Sequence, residues 1–186
     1  MKILAINGSP RKKSNTELLI KEVIKHFDPK LFESEVINLY GKKINHCLGC
    51  LSEGKCINMC IQKDDIQKIF QKLTEAEIII IGSPIYGCNV SSLMKAFLDR
   101  MVCLKNNILK GKIGGIVVTG NIYGFAFTEF YMMNALNYQG VILPGRCTCE
   151  GRTTKDYGSI KQDQNALMSA ERLAKSISDL SLKLFK

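Results

Sequence analysis

The sequence predicts an α/β protein built on a doubly wound, five-stranded parallel sheet with helices on both faces. Three observations carry this prediction. Short apolar runs alternate with amphipathic, helix-length segments along the whole chain, which is the pattern of βαβ units. The run Ala76–Ile81 is almost wholly apolar, with no alternation, as expected of a central strand buried on both faces. The length, 186 residues, suits one domain spanning 1–186 and leaves no room for a second core of similar size.

Each element follows from local pattern. The first strand is Lys2–Asn7, closed by Gly8-Ser9-Pro10. A helix from about Asn15 to His26 presents Leu18, Leu19, Val23 and Phe27 as a buried stripe. Ser14 can cap it, Glu17 completes a capping box, and Asp28-Pro29 ends it. The second strand is about Ser34–Leu39. The chain then enters a cysteine-rich loop insertion at about 42–63 instead of running straight into a helix. Asp64 and Asp65 open a helix to about Thr74, where acidic side chains suit the positive end of the dipole. Ala76–Ile81 is the third strand, Ser83–Gly87 the turn after it, and Ser91–Cys103 the next helix. Lys112–Thr119 is the fourth strand, stopped by Gly120. Thr128–Gln139 is a helix ended by Gly140, Val141–Leu143 a short fifth strand, and Gln162–Leu184 the terminal helix.

Composition narrows the function classes. An apolar fraction of 46% and a charged fraction of 23% are those of a water-soluble globular protein. The segment after Met1 is too short and lacks a cleavage site for a secretory signal, and no apolar run approaches membrane-spanning length. The expected location is therefore the cytoplasm, with no membrane partner. The formal net charge is +9, with lysines spread along helices. That distribution reads as a solvated basic surface or one that docks an acidic redox protein. No recognition motif or aromatic–basic interleaving points to nucleic acid. Eight cysteines without a secretory signal argue for metal or redox chemistry over a disulfide framework.

In open parallel sheets ligands sit beyond the carboxyl ends of the strands, where strand order reverses. The loops expected there are Gly8–Ser14, Pro84–Asn89 and Gly120–Gly124. In the first, Gly8-Ser9-Pro10-Arg11-Lys12-Lys13-Ser14-Asn15-Thr16 leads into a helix N-terminus, whose free amides and positive dipole attract phosphate. Hydroxyls of Ser9, Ser14 and Thr16 add donors, and Arg11 can pair a dianion. The loop has neither the Walker Gly-Lys-Ser/Thr ending nor G-x-G-x-x-G. Taken alone it also reads as an ordinary capped βα turn.

The stretch Gly8–Thr16 resembles the phosphate loop of the flavodoxin-like NAD(P)H-dependent FMN reductase family. The resemblance continues through Asp64-Asp65, Gly82-Ser83-Pro84-Ile85-Tyr86, Asn89-Val90-Ser91, Lys95 and Phe97–Arg100. It implies a flavodoxin-like fold and an FMN-dependent oxidoreductase. Ser9, Arg11, Ser14, Asn15 and Thr16 would hold the phosphate. Pro84, Ile85, Tyr86, Gly87 and Asn89 would wrap the isoalloxazine, and Gly120 would begin a third loop. Tyr86 also reads, by composition alone, as a core aromatic. The implied electron donor is NAD(P)H or a ferredoxin-type carrier, with no protein side chain needed as a nucleophile. Self-association as a homodimer or homotetramer is implied as well. A non-enzymatic flavodoxin-like electron carrier is the alternative, disfavoured because such carriers are typically acidic.

Cys47, Cys50, Cys56 and Cys60 are spaced C-x2-C-x5-C-x3-C, compact enough to converge on one centre. The resemblance extends to the iron–sulfur flavoprotein branch, whose members carry a cysteine motif in this loop that ligates a [4Fe–4S] cluster. Here the spacing departs from that motif, with Ser52 and Glu53 where a third cysteine is usual. Three uses stay open: an iron–sulfur cluster, zinc (with His46 as a possible ligand), or unligated reduced thiols. Cys88, Cys103, Cys147 and Cys149 read mainly as buried small apolar residues.

Overall fold

The computed structural model describes residues 1–56, 60–104, 108–153 and 156–185. Five strands form one parallel sheet: β1 (Lys2–Asn7), β2 (Glu33–Asn38), β3 (Ile78–Tyr86), β5 (Ile113–Gly120) and β6 (Thr148–Arg152). A two-residue strand, β4 (Asn89–Val90), pairs antiparallel to the end of β3. The sheet order is β2-β1-β3-β5-β6. Counting parallel strands alone, this is the 2-1-3-4-5 order of flavodoxin-like sheets, which reverses direction between β1 and β3.

The helices are α1 (Asn15–Lys25), α2 (Ile66–Glu75), α3 (Ser92–Met101), α4 (Phe125–Tyr138) and α5 (Gln164–Leu184). Strand alternation sorts the core into two layers. Ile3, Ala5, Ile78, Ile80, Ile113 and Val117 pack with α1 and α5, while Leu4, Ile6, Ile79, Ile81, Ile116 and Val118 pack with α2, α3 and α4. The unbroken run of isoleucines in β3 is thus apolar on both faces because helices cover both.

Three elements differ from expectation. Beyond Ile81, β3 continues in register with β5 to Pro84↔Thr119 and then forms a hairpin with β4, where the sequence suggested a turn. The hairpin turns on Gly87 (φ 53°) and Cys88 (φ 60°). Two successive positive φ values match the twist of a tight hairpin, and only glycine adopts them without strain. The fifth strand is also displaced. Ile142 makes only a single parallel bridge to Ile113, and the strand proper is Thr148–Arg152, paired with Ile116–Gly120. Pro144 supplies no amide to extend pairing at Val141–Leu143. The residues of β6 carry little apolar signal because only Cys149 and Gly151 are buried, and both are small. Gly151 leaves the room that Ile160 fills: a Cβ there would lie 2.2 Å from Ile160 Cδ1. Finally, α4 starts at Phe125, three residues before the expected Thr128.

The Asp64-Asp65 pair also serves a purpose other than the expected dipole contact. Asp64 Oδ2 accepts from the Asn45 amide (2.9 Å) and Asp65 Oδ2 from the Lys43 amide (2.8 Å). The Asp65 amide returns a bond to the Lys43 carbonyl (3.0 Å). The two carboxylates therefore close the mouth of the cysteine-bearing loop.

Candidate functional site

Loops at the carboxyl ends of β1, β3, β5 and β6 surround a cavity of about 230 Å³. Of the expected residues, Ser9, Arg11, Ser14, Asn15, Thr16, Pro84, Ile85, Tyr86 and Gly120 line it. Gly87 and Asn89 do not: they sit at the hairpin tip, where Asn89 Oδ1 accepts from the Val90 amide (2.7 Å).

The β1–α1 loop is held rigidly from below. Ser14 Oγ caps α1 by accepting from the Glu17 amide (3.0 Å) and also accepts from Asn7 Nδ2 (3.2 Å). Asn7 in turn donates to Asn38 Oδ1 (2.7 Å) on β2 and accepts from the Ser9 amide (3.1 Å). Ser9 Oγ accepts from the Arg11 amide (3.3 Å). Thr16 Oγ1 pairs with Thr119 Oγ1 at 2.6 Å, locking α1 to the end of β5. Asn15 is committed elsewhere. Its amide donates to the Asp156 carbonyl (3.0 Å) and Ser159 Oγ (3.2 Å), and it accepts from the Gly158 amide (2.7 Å). Its evident structural task is to hold the segment after β6 against α1.

The opposite wall is the β3–β4 hairpin. Tyr86 is 41% exposed and lines the cavity, which rules out the core-aromatic reading. Gly120 is where the β5 backbone comes closest to this wall: a Cβ there would lie 2.6 Å from Ile85 Cδ1. Lys13 and Asn121, which lie in the expected loops without a role of their own, also line the cavity, as do Thr119, Thr153 and Tyr157, which sequence reasoning missed. Lys13 stands over the Tyr157 ring, 6.0 Å from its centroid. Thr153 and Tyr157 arrive only through the true position of β6, and no local motif marks them.

A second cavity, about 470 Å³, lies under the cysteine-bearing loop, and all four expected thiols line it. Cys50, Cys56 and Cys60 are buried, whereas Cys47 is exposed. The Cys50 and Cys56 sulfurs lie 3.1 Å apart. Cys60 Sγ accepts from Arg100 Nη2 at 3.2 Å. Arg100 is fully buried; its Nη1 binds the Asp64 carboxylate and the Asn45 carbonyl (3.3 Å). Burial pushes the Asp64 carboxyl up, but Arg100 and the amides of Asn45 and Ile66 outweigh this and hold it below the usual value. A fifth thiol shares the cavity: Cys103, after α3. Burial, reinforced by the nearby Cys60 and Cys56, pushes it up to about 12. Cys147 and Cys149 are buried as expected, but Cys88 is exposed at the hairpin tip. His46 is exposed, and its carbonyl accepts from Gln62 Nε2 (2.9 Å).

Among the described residues, no three His, Cys, Asp or Glu side chains stand close enough to hold one metal ion. Zinc requires four donors within bonding distance of a single point, whereas a [4Fe–4S] cube takes its four thiolates at separate corners. The thiols line the wall of one cavity, with the Cys50 and Cys56 sulfurs in direct contact. Among the described residues, no helix is long and apolar enough to cross a membrane.

Residues 1–150 match the family model described as NADPH-dependent FMN reductase. An iron-sulfur flavoprotein of Archaeoglobus fulgidus is 36% identical over 149 residues, covering 78% of this chain and 66% of that one. An iron-sulfur flavoprotein of Methanocaldococcus jannaschii is 33% identical over the full length of both chains. Among solved structures, RosB with bound 8-demethyl-8-formylriboflavin-5'-phosphate superposes with a TM-score of 0.82 at 19% identity, over 100% of this chain and 80% of that one. With the strand order, the capped β1–α1 loop and these matches taken together, the chain belongs to the NADPH-dependent FMN reductase family, in its iron-sulfur flavoprotein branch.

Proposed function

We propose that this FMN-dependent oxidoreductase holds its flavin in the cavity bounded by the β1–α1 loop, the β3–β4 hairpin and the end of β5. One observation carries the reading: a capped helix N-terminus, an exposed tyrosine and a close-approach glycine meet on one cavity at the switch point of the sheet. The amides at the start of α1, with Ser9, Ser14 and Thr16, bind the phosphate, and Arg11 pairs its charge. Asn15 contributes by fixing the loop that carries Tyr157. Pro84, Ile85, Tyr86 and Gly120 form the wall against which the ring system lies, with Gly87 and Asn89 shaping the hairpin that presents Tyr86. FMN supplies the redox chemistry, and the protein binds it, orients it and limits access to it.

The four thiols Cys47, Cys50, Cys56 and Cys60 are the ligand set that the loop offers to a [4Fe–4S] cluster. Thiolate sulfur is the donor such clusters take, and the buried Arg100 guanidinium offsets the negative charge that accumulates there. The donor is a reduced nicotinamide or an acidic carrier such as ferredoxin. The net charge of +9 favours encounter with the latter. The site of action is the cytoplasm.

The enzyme self-associates through α4. Phe127, Phe130 and Tyr138 are 73%, 67% and 74% exposed, and Glu129 is the one charged residue in the helix. A helix apolar on both sides suits burial between two copies.

An anaerobic absorption spectrum of the purified protein tests the cofactor content directly. Flavin bands together with broad sulfur-to-iron charge-transfer absorption are expected. Protein that takes up no FMN overturns the reading of the first cavity, and flavin without iron after anaerobic preparation overturns the cluster.

A further inference from the structure

Cys50 and Cys56 are buried, and their sulfurs lie 3.1 Å apart, inside van der Waals contact. The backbone brings them together. The Lys55 amide donates to the Cys50 carbonyl (3.1 Å), the Gly54 amide to the Leu51 carbonyl (3.1 Å) and the Ser52 amide to the Gly49 carbonyl (3.3 Å). Gly49 (φ 69°) and Gly54 (φ 71°) take the left-handed conformations that this doubling back requires. Cys60 is the poorer partner for Cys50, because its sulfur is engaged by Arg100 Nη2 (3.2 Å). Cys47 is exposed and stands in C-x-x-C spacing before the buried Cys50, the arrangement of thiol–disulfide exchange pairs. We propose that these three thiols form a dithiol–disulfide exchange centre: Cys47 takes up a small disulfide from solution, and the bond comes to rest between Cys50 and Cys56. The inference does not depend on the cluster reading. A Cys50–Cys56 bond uses two of the thiolates that a cluster needs, so the loop accepts a cluster only in its dithiol form.

The exchange balances in three steps. The Cys47 thiolate attacks an external disulfide R–S–S–R, forms a mixed disulfide and releases one R–S⁻. Cys50 attacks the Cys47 sulfur and releases the second R–S⁻, leaving Cys47–Cys50. Cys56, in contact with Cys50, then attacks the Cys50 sulfur and returns Cys47 to the thiolate. In sum, one external S–S bond breaks and the Cys50–Cys56 bond forms. The two protein thiols give up two electrons and two protons, and two R–SH leave. Burial shields the resting bond from bulk thiols, so reduction by excess R–SH runs back through Cys47.

The experiment treats iron-free, fully reduced, full-length protein with glutathione disulfide under nitrogen, blocks free thiols with iodoacetamide at timed intervals, and maps tryptic peptides by mass spectrometry. Trypsin cuts after Lys43, Lys55 and Lys63, so a Cys50–Cys56 bond joins peptides 44–55 and 56–63, whereas Cys47–Cys50 stays within the first. Wild type should accumulate the joined pair, with fragment spectra assigning the bond to Cys50 and Cys56, and excess reduced glutathione should undo it. Cys47→Ser should form the same bond several-fold more slowly. Wild type that stays fully reduced, or joins other sulfurs, overturns the centre without need of any variant. Oxidation of Cys47→Ser at the wild-type rate overturns the entry route. Iron and sulfide are then offered anaerobically to the reduced and to the disulfide form. Uptake by the reduced form alone is expected. Uptake by protein that keeps its Cys50–Cys56 bond overturns the exclusion, and uptake by neither form defeats the cluster reading while leaving the disulfide assignment standing.

Discussion

Ser14 carries two tasks that can be separated by experiment. Its hydroxyl caps α1 and accepts from Asn7, so Ser14→Ala should cost about 1 kcal/mol of stability even without ligand. If the hydroxyl also meets the phosphate, FMN affinity falls by about one to two decades, the equivalent of ~1.5–3 kcal/mol for a charged hydrogen bond. Denaturant midpoints of the apoprotein and flavin titrations measure the two effects. Unchanged affinity in the Ser14→Ala/Thr16→Ala double variant would place the phosphate elsewhere. At Arg100 the question is burial. Removing the guanidinium in Arg100→Met leaves Asp64 ionised and buried, a loss of about 3–5 kcal/mol. Arg100→Met/Asp64→Asn should recover part of that loss in urea melts; a double variant no more stable than Arg100→Met would show that the pair is not coupled. The Asp64 carboxyl is depressed in the folded state, so its contribution is complete above the ordinary carboxylate pKa and is lost as pH falls through the folded value.

At the level of elements, α4 is the one whose sequence and environment disagree. It is apolar around much of its circumference, yet among the described residues nothing covers the face bearing Phe127 and Phe130. Phe127→Glu or Phe130→Glu should shift the sedimentation coefficient toward the monomer without lowering the melting temperature of the folded chain. Variants that sediment like wild type would remove α4 from the interface. The same helix carries a pH-sensitive contact. Burial pushes Glu129 up to about 7, with the charge of Glu150 on β6 adding to the rise. Its folded pKa exceeds the ordinary value of 4.5, so the folded state binds the extra proton and loses stability as pH rises from about 4.5 to 7. Glu129→Gln should therefore match wild type in acid and exceed it in melting temperature above pH 7. A difference that stays flat across this range would show that the Glu129 carboxyl is not raised in the folded state.

For the whole molecule, the two cavities share no lining residue. Flavin binding and cysteine chemistry are therefore expected to separate: Cys50→Ser should abolish iron uptake and leave FMN bound. Turnover follows at the same scale. Reduced nicotinamide or reduced ferredoxin should bleach the bound flavin, and an added acceptor should restore it over repeated cycles, followed at the flavin absorption maximum. A salt-dependent rate with ferredoxin and a salt-independent one with nicotinamide would identify the basic surface as a docking face.

The amino-acid sequence alone determined most of the scaffold and one half of the cavity proposed for the flavin. The isoleucine run of β3, the stripe of α1, and the loop Gly8–Thr16 with its Ser14 cap are all written in residues a few positions apart; the Glu17 carboxylate of the expected capping box instead pairs with Lys21. Periodicity and capping are local physics, and they survive without knowledge of the fold. Tertiary structure alone placed β6, because its buried residues, Cys149 and Gly151, are too small to give an apolar run. It brought Thr153 and Tyr157 to the cavity by way of β6, and it committed Asn15 to residues more than 140 positions away. It also buried Arg100 against Asp64 and drew Cys103 toward a cysteine loop some forty residues upstream. Those placements depend on which helix packs against which strand, and a buried charge or thiol is stabilised by its neighbours in space, which the local pattern of the chain does not name.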